Sequence, residues 1–196
     1  MSADGFTQVN SSIYIYTLGR FDLVIDGQPL RFARRAPMRP LELLGALIAC
    51  GGRSVGIGTL SDLLWPEADG YDAYRAFTTT LHRLRRVLVH PDAVRLSVGR
   101  LSLDPQIVQV DVWNFERALR AAGTPDEMAA ALDLYRGPFL GDDPKPWALG
   151  MRSRLEQSVA RVSRELAAAP PQAASSRKVP FGLFADLTGR GLVSFA

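Results

Sequence analysis

The sequence is poor in the residues that build covalent or metal chemistry. Cys50 is the only cysteine in 196 residues, so no disulfide can form within the chain and no cysteine zinc cluster is available. His82 and His90 are the only histidines, and no acidic cluster stands beside them at ligand spacing. A metal site is therefore not expected. No apolar run approaches the roughly 20 residues that a membrane span needs. Residues Met1 to Asn10 are polar and lack the basic-then-apolar layout of a signal peptide, which predicts a cytoplasmic protein without a membrane partner. Paired carboxylates in a plausible pocket, and a nucleophile beside a base, are also missing, so an enzyme is the poorest fit and no cofactor is expected. The chain is 47% apolar and 22% charged, within the range of ordinary globular proteins.

One further lack is local. From Ala73 through Leu88 there is no acidic residue. The window from Ala73 to Leu103 holds six arginines (Arg75, Arg83, Arg85, Arg86, Arg95 and Arg100) against one acid, Asp92. The rest of residues 1–107 carries six arginines and nine acids, so the window is a basic stripe on an acidic background. Such a stripe is the footprint expected of a nucleic-acid face; the lesser reading is a solvated helix face.

Periodicity places this stripe. Ile13–Tyr16, Phe21–Ile25 and Leu30–Phe32 read as short strands of an antiparallel sheet, with Asp26-Gly27 as a hairpin turn. Residues 34–40 form a basic linker in which Arg35 and Arg39 stand four apart before a helix. They could hold an anion or nucleotide, or simply be exposed. Helices are predicted from about Pro40 to Cys50 and from about Ile57 to Leu64, with Cys50 as a small core residue and Trp65 as a packing anchor. From Ala73, Phe77, Leu81, Leu84 and Leu88 form one apolar stripe of a third helix. At 100° per residue, Arg75, Thr79, His82 and Arg86 centre on the opposite face, flanked by Thr78 and Arg83. A hairpin follows, with strands at Val94–Ser97 and Leu101–Leu103 and a turn at Val98-Gly99-Arg100 that puts Arg100 near its tip. A basic helix followed by a basic hairpin is the layout of a winged helix-turn-helix.

After Val110 the pattern becomes helical. Helices are expected from Asp111 to about Leu119, from about Asp126 to Tyr135, and from about Trp147 to Ala168. They read as antiparallel helical hairpins, the unit of a TPR-like repeat. Trp113 and Phe115 read as packing residues. Pro170–Lys178 reads as a linker. The tail from Phe181 to Ala196 has no assigned role, and its Gly189-Arg190-Gly191 is too weak for a phosphate loop.

The string Thr78-Thr79-Thr80-Leu81-His82-Arg83-Leu84-Arg85-Arg86-Val87-Leu88 resembles the recognition helix of OmpR/PhoB-type winged-helix regulators. Val110–Phe115, Leu134-Tyr135-Arg136-Gly137-Pro138-Phe139-Leu140 and Trp147 resemble the bacterial transcriptional activator domain (BTAD) of antibiotic-regulatory-protein-type activators. Together the resemblance covers about Ile13 to Ala168. It implies an α+β fold: a winged helix-turn-helix with an N-terminal sheet in residues 1–107, then an all-α partial activator domain in 108–168, with 169–196 as linker and tail. No receiver domain is expected from these residues, and the activator segment is expected to lack the family's later helix pairs.

By position, the resemblance implies that Thr78, Thr79 and Arg83 face base edges, and that Arg75, His82, Arg85 and Arg86 meet phosphates. Each threonine is as readily explained by simple solvent exposure. Arg100 would be the wing residue. The expected function is a sequence-specific double-stranded-DNA-binding transcriptional regulator, with RNA polymerase and a second copy of the chain as further partners. Two other readings stand beside it: an interaction or signalling module that uses a winged-helix scaffold without reading DNA, and a nucleotide-responsive regulator resting on Arg35 and Arg39.

Overall fold

The computed structural model describes residues 13–32, 36–142 and 145–168. Arg35, the linker from Pro170 and the tail to Ala196 lie outside the described residues.

The described residues open with β1 (Ile13–Tyr16), β2 (Asp22–Ile25) and β3 (Gln28–Pro29). β1 and β2 pair antiparallel, Ile13 opposite Ile25, and their alternate residues Ile13, Ile15, Leu23 and Ile25 are buried. This is the period-2 pattern of a half-buried sheet. The third strand is shorter than Leu30–Phe32 and lies earlier. Pro29 has no N–H to extend a ladder, and beyond it only the Leu30 amide pairs back, to the Leu23 carbonyl.

Three helices follow: α1 (Met38–Ala49), α2 (Ile57–Leu64) and α3 (Gly70–Leu88). The α2 limits are those the periodicity predicts, and Trp65 packs half-buried against the core. Cys50 differs from its expectation: it is the exposed C-cap of α1, two residues beyond the buried run Leu43–Ile48. α3 starts three residues before Ala73 because Asp69 caps it, its side chain accepting from the Asp72 amide at 2.8 Å. Apolar periodicity cannot see that first turn, since its residues are exposed.

Between α1 and α2 lies β4 (Val55–Gly56). It joins the hairpin of β5 (Val94–Ser97) and β6 (Arg100–Leu103) in a sheet of order β4-β6-β5. The hairpin turn has two residues, Val98 and Gly99, both at positive φ. This is the backbone of a type I′ turn. Arg100 is therefore the first residue of β6, paired with Ser97, and does not stand at the tip.

β7 (Val108–Val110) adds parallel to β1, so the first sheet has the order β3-β2-β1-β7. The sequence predicts an antiparallel sheet confined to the N-terminus; the structure adds a parallel strand from almost 100 residues later. β7 leads directly into α4 (Asp111–Ala121), followed by α5 (Pro125–Leu132) and α6 (Leu149–Ala168), with a 3-10 turn at Pro146–Ala148 before α6. α5 is shorter than its expectation and is opened by a capping box between Thr124 and Glu127. It packs against both α4 and α6.

One hydrophobic core runs from Ile13 in β1 through α1 and α3 to Phe115 in α4 and Leu155 in α6. Two tryptophans and two glycines join its halves. Trp147 lies against Gly45 of α1, where an added Cβ would stand 2.8 Å from the ring. Trp113 lies against Gly52 so closely that a Cβ there would overlap the ring. The Asp111 carboxylate also reaches back, accepting from the Thr17 and Leu18 amides and the Thr17 hydroxyl. Near this anchor the strand after Tyr16 meets the Leu134–Leu140 string: Leu140 N donates to Thr17 O and Gly19 N to Pro138 O.

Candidate nucleic-acid interface

α3 has two chemically distinct faces. Ala73, Phe77, Thr80, Leu81, Leu84 and Leu88 are buried against the core, which adds Thr80 to the expected apolar stripe. Arg75, Thr78, Thr79, His82, Arg83 and Arg86 are exposed. Asp72, in the first turn, is the only acid on this helix; four arginines follow it.

The exposed residues are not equally available. Arg83, Arg86, His82 and Thr79 have no hydrogen-bond or ion-pair partner among the described residues. The Thr78 hydroxyl donates to the Tyr74 carbonyl at 2.9 Å, a bond within the helix that leaves its lone pairs open. Arg75 lies over the Tyr71 ring at 5.7 Å, a cation–π contact that steadies the guanidinium without cancelling its charge.

Three of the six arginines in the basic window are tied to the scaffold. Arg85 is half-buried and donates from Nε and Nη2 to the Val94 carbonyl at 3.3 and 3.1 Å, clamping α3 to the start of the hairpin. Arg95 pairs with the buried carboxylate of Asp104 at 2.6 Å. Arg100 donates to the Ser54 carbonyl at 2.8 Å, across the sheet to the turn before β4. The hydrogen bonds of Arg85 and Arg100 leave their charges in place, whereas Asp104 offsets that of Arg95.

Two features on this surface were not singled out from sequence. Tyr71 and Tyr74 are 71% and 54% exposed near the start of α3, two aromatic rings beside the basic row. Their signal was present: tyrosines three apart at the head of a basic helix. The other is Val98, 97% exposed at the hairpin tip, a β-branched residue at φ 47°. The tip that the sequence reading gives to an arginine is apolar.

The anion reading of the linker finds no cradle at Arg39. Its guanidinium pairs with Glu42 at 3.0 Å and donates to the Leu64 carbonyl at 3.3 Å, so it joins the ends of α1 and α2. Among the described residues there is no group of three or more acidic, histidine or cysteine side chains that could hold a metal ion. No described helix is long and apolar enough to cross a membrane.

Comparison with known proteins bears on the second half of the chain first. Residues 110–179 match the family model of the bacterial transcriptional activator domain. The chain is 34% identical over 141 residues to the regulatory protein AfsR of Streptomyces coelicolor, a match that covers 66% of this chain and 14% of that protein. It is 33% identical over 125 residues to AfsR of Streptomyces griseus, covering 59% and 13%. The chain thus spans about one seventh of the length of these relatives. Among solved structures, Mycobacterium tuberculosis EmbR in complex with a low affinity phosphopeptide is similar, with TM-score 0.53 and 19% identity over 81% of this chain and 43% of that one. That likeness supports the mixed α+β fold. The match of residues 110–179 and the two AfsR relatives support a transcriptional regulator, and point away from an enzyme.

Proposed function

We propose that the protein is a sequence-specific double-stranded-DNA-binding regulator, built as a winged helix-turn-helix of the OmpR/PhoB type, with α3 in the major groove and the β5–β6 hairpin as the wing. The observation that carries this reading is the unpartnered row of Thr79, His82, Arg83 and Arg86 along one face of α3. A helix fits the major groove, and arginine presents a donor fork that suits guanine O6 and N7. In this reading Arg83, with Thr78 and Thr79, faces base edges. Arg75 and Arg86 meet phosphates, His82 beside them, while Arg85 sets the angle between helix and wing. Arg100 acts at the side of the wing rather than at its tip.

The activator-like segment then supplies the contact to RNA polymerase, and it joins the reading unit through β7, a strand of the first sheet. The domain division near residue 107 is in this sense functional: reading before it, activation after it.

Selection of bound sites from a random duplex library tests the proposal. An enriched motif of a few base pairs is expected, and a repeat at one helical turn would identify a dimer. Binding without enrichment would leave only backbone attraction. No binding would return the chain to the interaction-module reading.

A further inference from the structure

A second basic feature lies away from α3. Two adjoining hollows, of about 410 and 300 Å³, open where α4 meets α6 and the turn after α1. They share Glu116, Arg120 and Arg154, while Arg161 lines the first and Arg53 and Arg117 line the second. Five arginines thus surround one carboxylate.

The arrangement follows from helix geometry. Arg117 and Arg120 are three apart on α4, and Arg154 and Arg161 are seven apart on α6, so each of these pairs lies on one face of its helix. Glu116 pairs with Arg154 at 3.2 Å, and Arg161 pairs with Glu165 at 3.1 Å. Arg53, Arg117 and Arg120 have no such partner among the described residues. Trp113 lines the second hollow as its apolar wall. Arg53, Arg117 and Arg120 are exposed guanidiniums on the rim of that one hollow, an arrangement that suits an acceptor-rich, negatively charged group.

We propose that these hollows form a binding site for a small polyanion of the diphosphate class. Each is within the size range of small-molecule sites, and a pair of short hollows suits a compact ligand better than an extended acidic peptide. Arg120, common to both, would bridge two anionic groups, with Arg117 and Arg53 on one side and Arg154 on the other. Glu116 opposes the ligand by charge, so its neutralisation has the opposite sign to that of the arginines. The site is independent of DNA reading, because none of its residues lies on α3 or in the β5–β6 hairpin.

The test is calorimetric titration of the full chain, without DNA, with pyrophosphate at constant ionic strength. Saturable one-to-one binding is expected. Arg120→Gln and Arg117→Gln should each weaken it about ten-fold or more. Glu116→Gln should tighten it several-fold, a gain that a merely structural role would not give. Arg164→Gln, an equal loss of charge on α6 outside the hollows, should leave it unchanged. Circular dichroism of each variant checks the fold. The proposal is overturned by absence of saturable binding, by equal weakening in Arg120→Gln and Arg164→Gln, or by a hexaglutamate peptide binding where pyrophosphate does not.

Discussion

Thr17 and Asp111 are joined across 94 residues of sequence: the Thr17 hydroxyl and amide both donate to Asp111 Oδ1, at 2.6 and 2.8 Å. Leu18 N reaches Oδ2 at 3.0 Å, and Val112 N also donates to Oδ1. One carboxylate therefore pins the end of β1 to the first turn of α4. Hydrogen bonds to a charged group contribute about 1.5–3 kcal/mol each, and several here share one acceptor. Asp111→Ala should lower stability by about 3 kcal/mol, and Asp111→Asn, which keeps one acceptor oxygen, by less. Urea denaturation followed by far-ultraviolet dichroism and tryptophan fluorescence measures both. Because one core spans the two halves, the two probes should report a single transition.

The tryptophan–glycine seats give a second prediction, with a built-in control. Gly52 and Gly51 both have positive φ, 71° and 93°, but only Gly52 lies under the Trp113 ring. Gly51→Ala should cost about 1 kcal/mol, the strain of a left-handed residue alone. Gly52→Ala adds overlap with the ring and should cost about 3 kcal/mol. Equal losses in the two variants would show that the ring yields freely.

Val98 is strained for the opposite reason, since nothing packs on it to justify the strain. At φ 47° and 97% exposed, it occupies a turn position that asparagine suits better. Val98→Asn should raise stability by about 0.5–1 kcal/mol. If the melting point falls instead, the valine makes a contact that its exposure does not reveal.

Glu127 carries a pH dependence. The amides of Gly123 and Thr124 and the Thr124 hydroxyl hold its carboxyl below the ordinary glutamate range. A carboxyl whose folded value is depressed stabilises the fold above the ordinary value and loses that effect as pH falls through the folded one. Fraying of the α5 N-terminus should therefore appear only below the ordinary glutamate range. In an NMR titration the Glu127 midpoint should rise in Thr124→Ala; an unmoved midpoint would contradict the capping account.

Much of the fold could be read from local pattern. The α2 limits, the buried stripe of α3 and the hairpin strands all follow from spacing within one element. What could not be read depends on partners distant in sequence. β7 is a three-residue strand whose identity comes only from lying beside β1. The arginine count in the basic window was visible, but the count could not tell Arg83, free on its face, from Arg95, neutralised by Asp104. Arg39 was likewise visible as a charge before a helix, while its capture by Glu42 and the Leu64 carbonyl was not. The first turn of α3, with Tyr71, escaped because a periodicity search follows buried residues and Tyr71 is exposed.

The central claim is that the exposed face of α3 reads duplex DNA, and it rests on Arg83 and Arg86. The most direct measurement is the affinity of the full chain for its selected duplex, wild type against Arg83→Ala/Arg86→Ala, across a salt series. The account predicts at least ~30-fold weaker binding at matched salt and a salt slope reduced by about 1–2, with Arg20→Ala/Arg164→Ala, the same charge lost from other elements, near wild type. Unchanged affinity in the α3 double variant, or an equal loss in the two double variants, would contradict it.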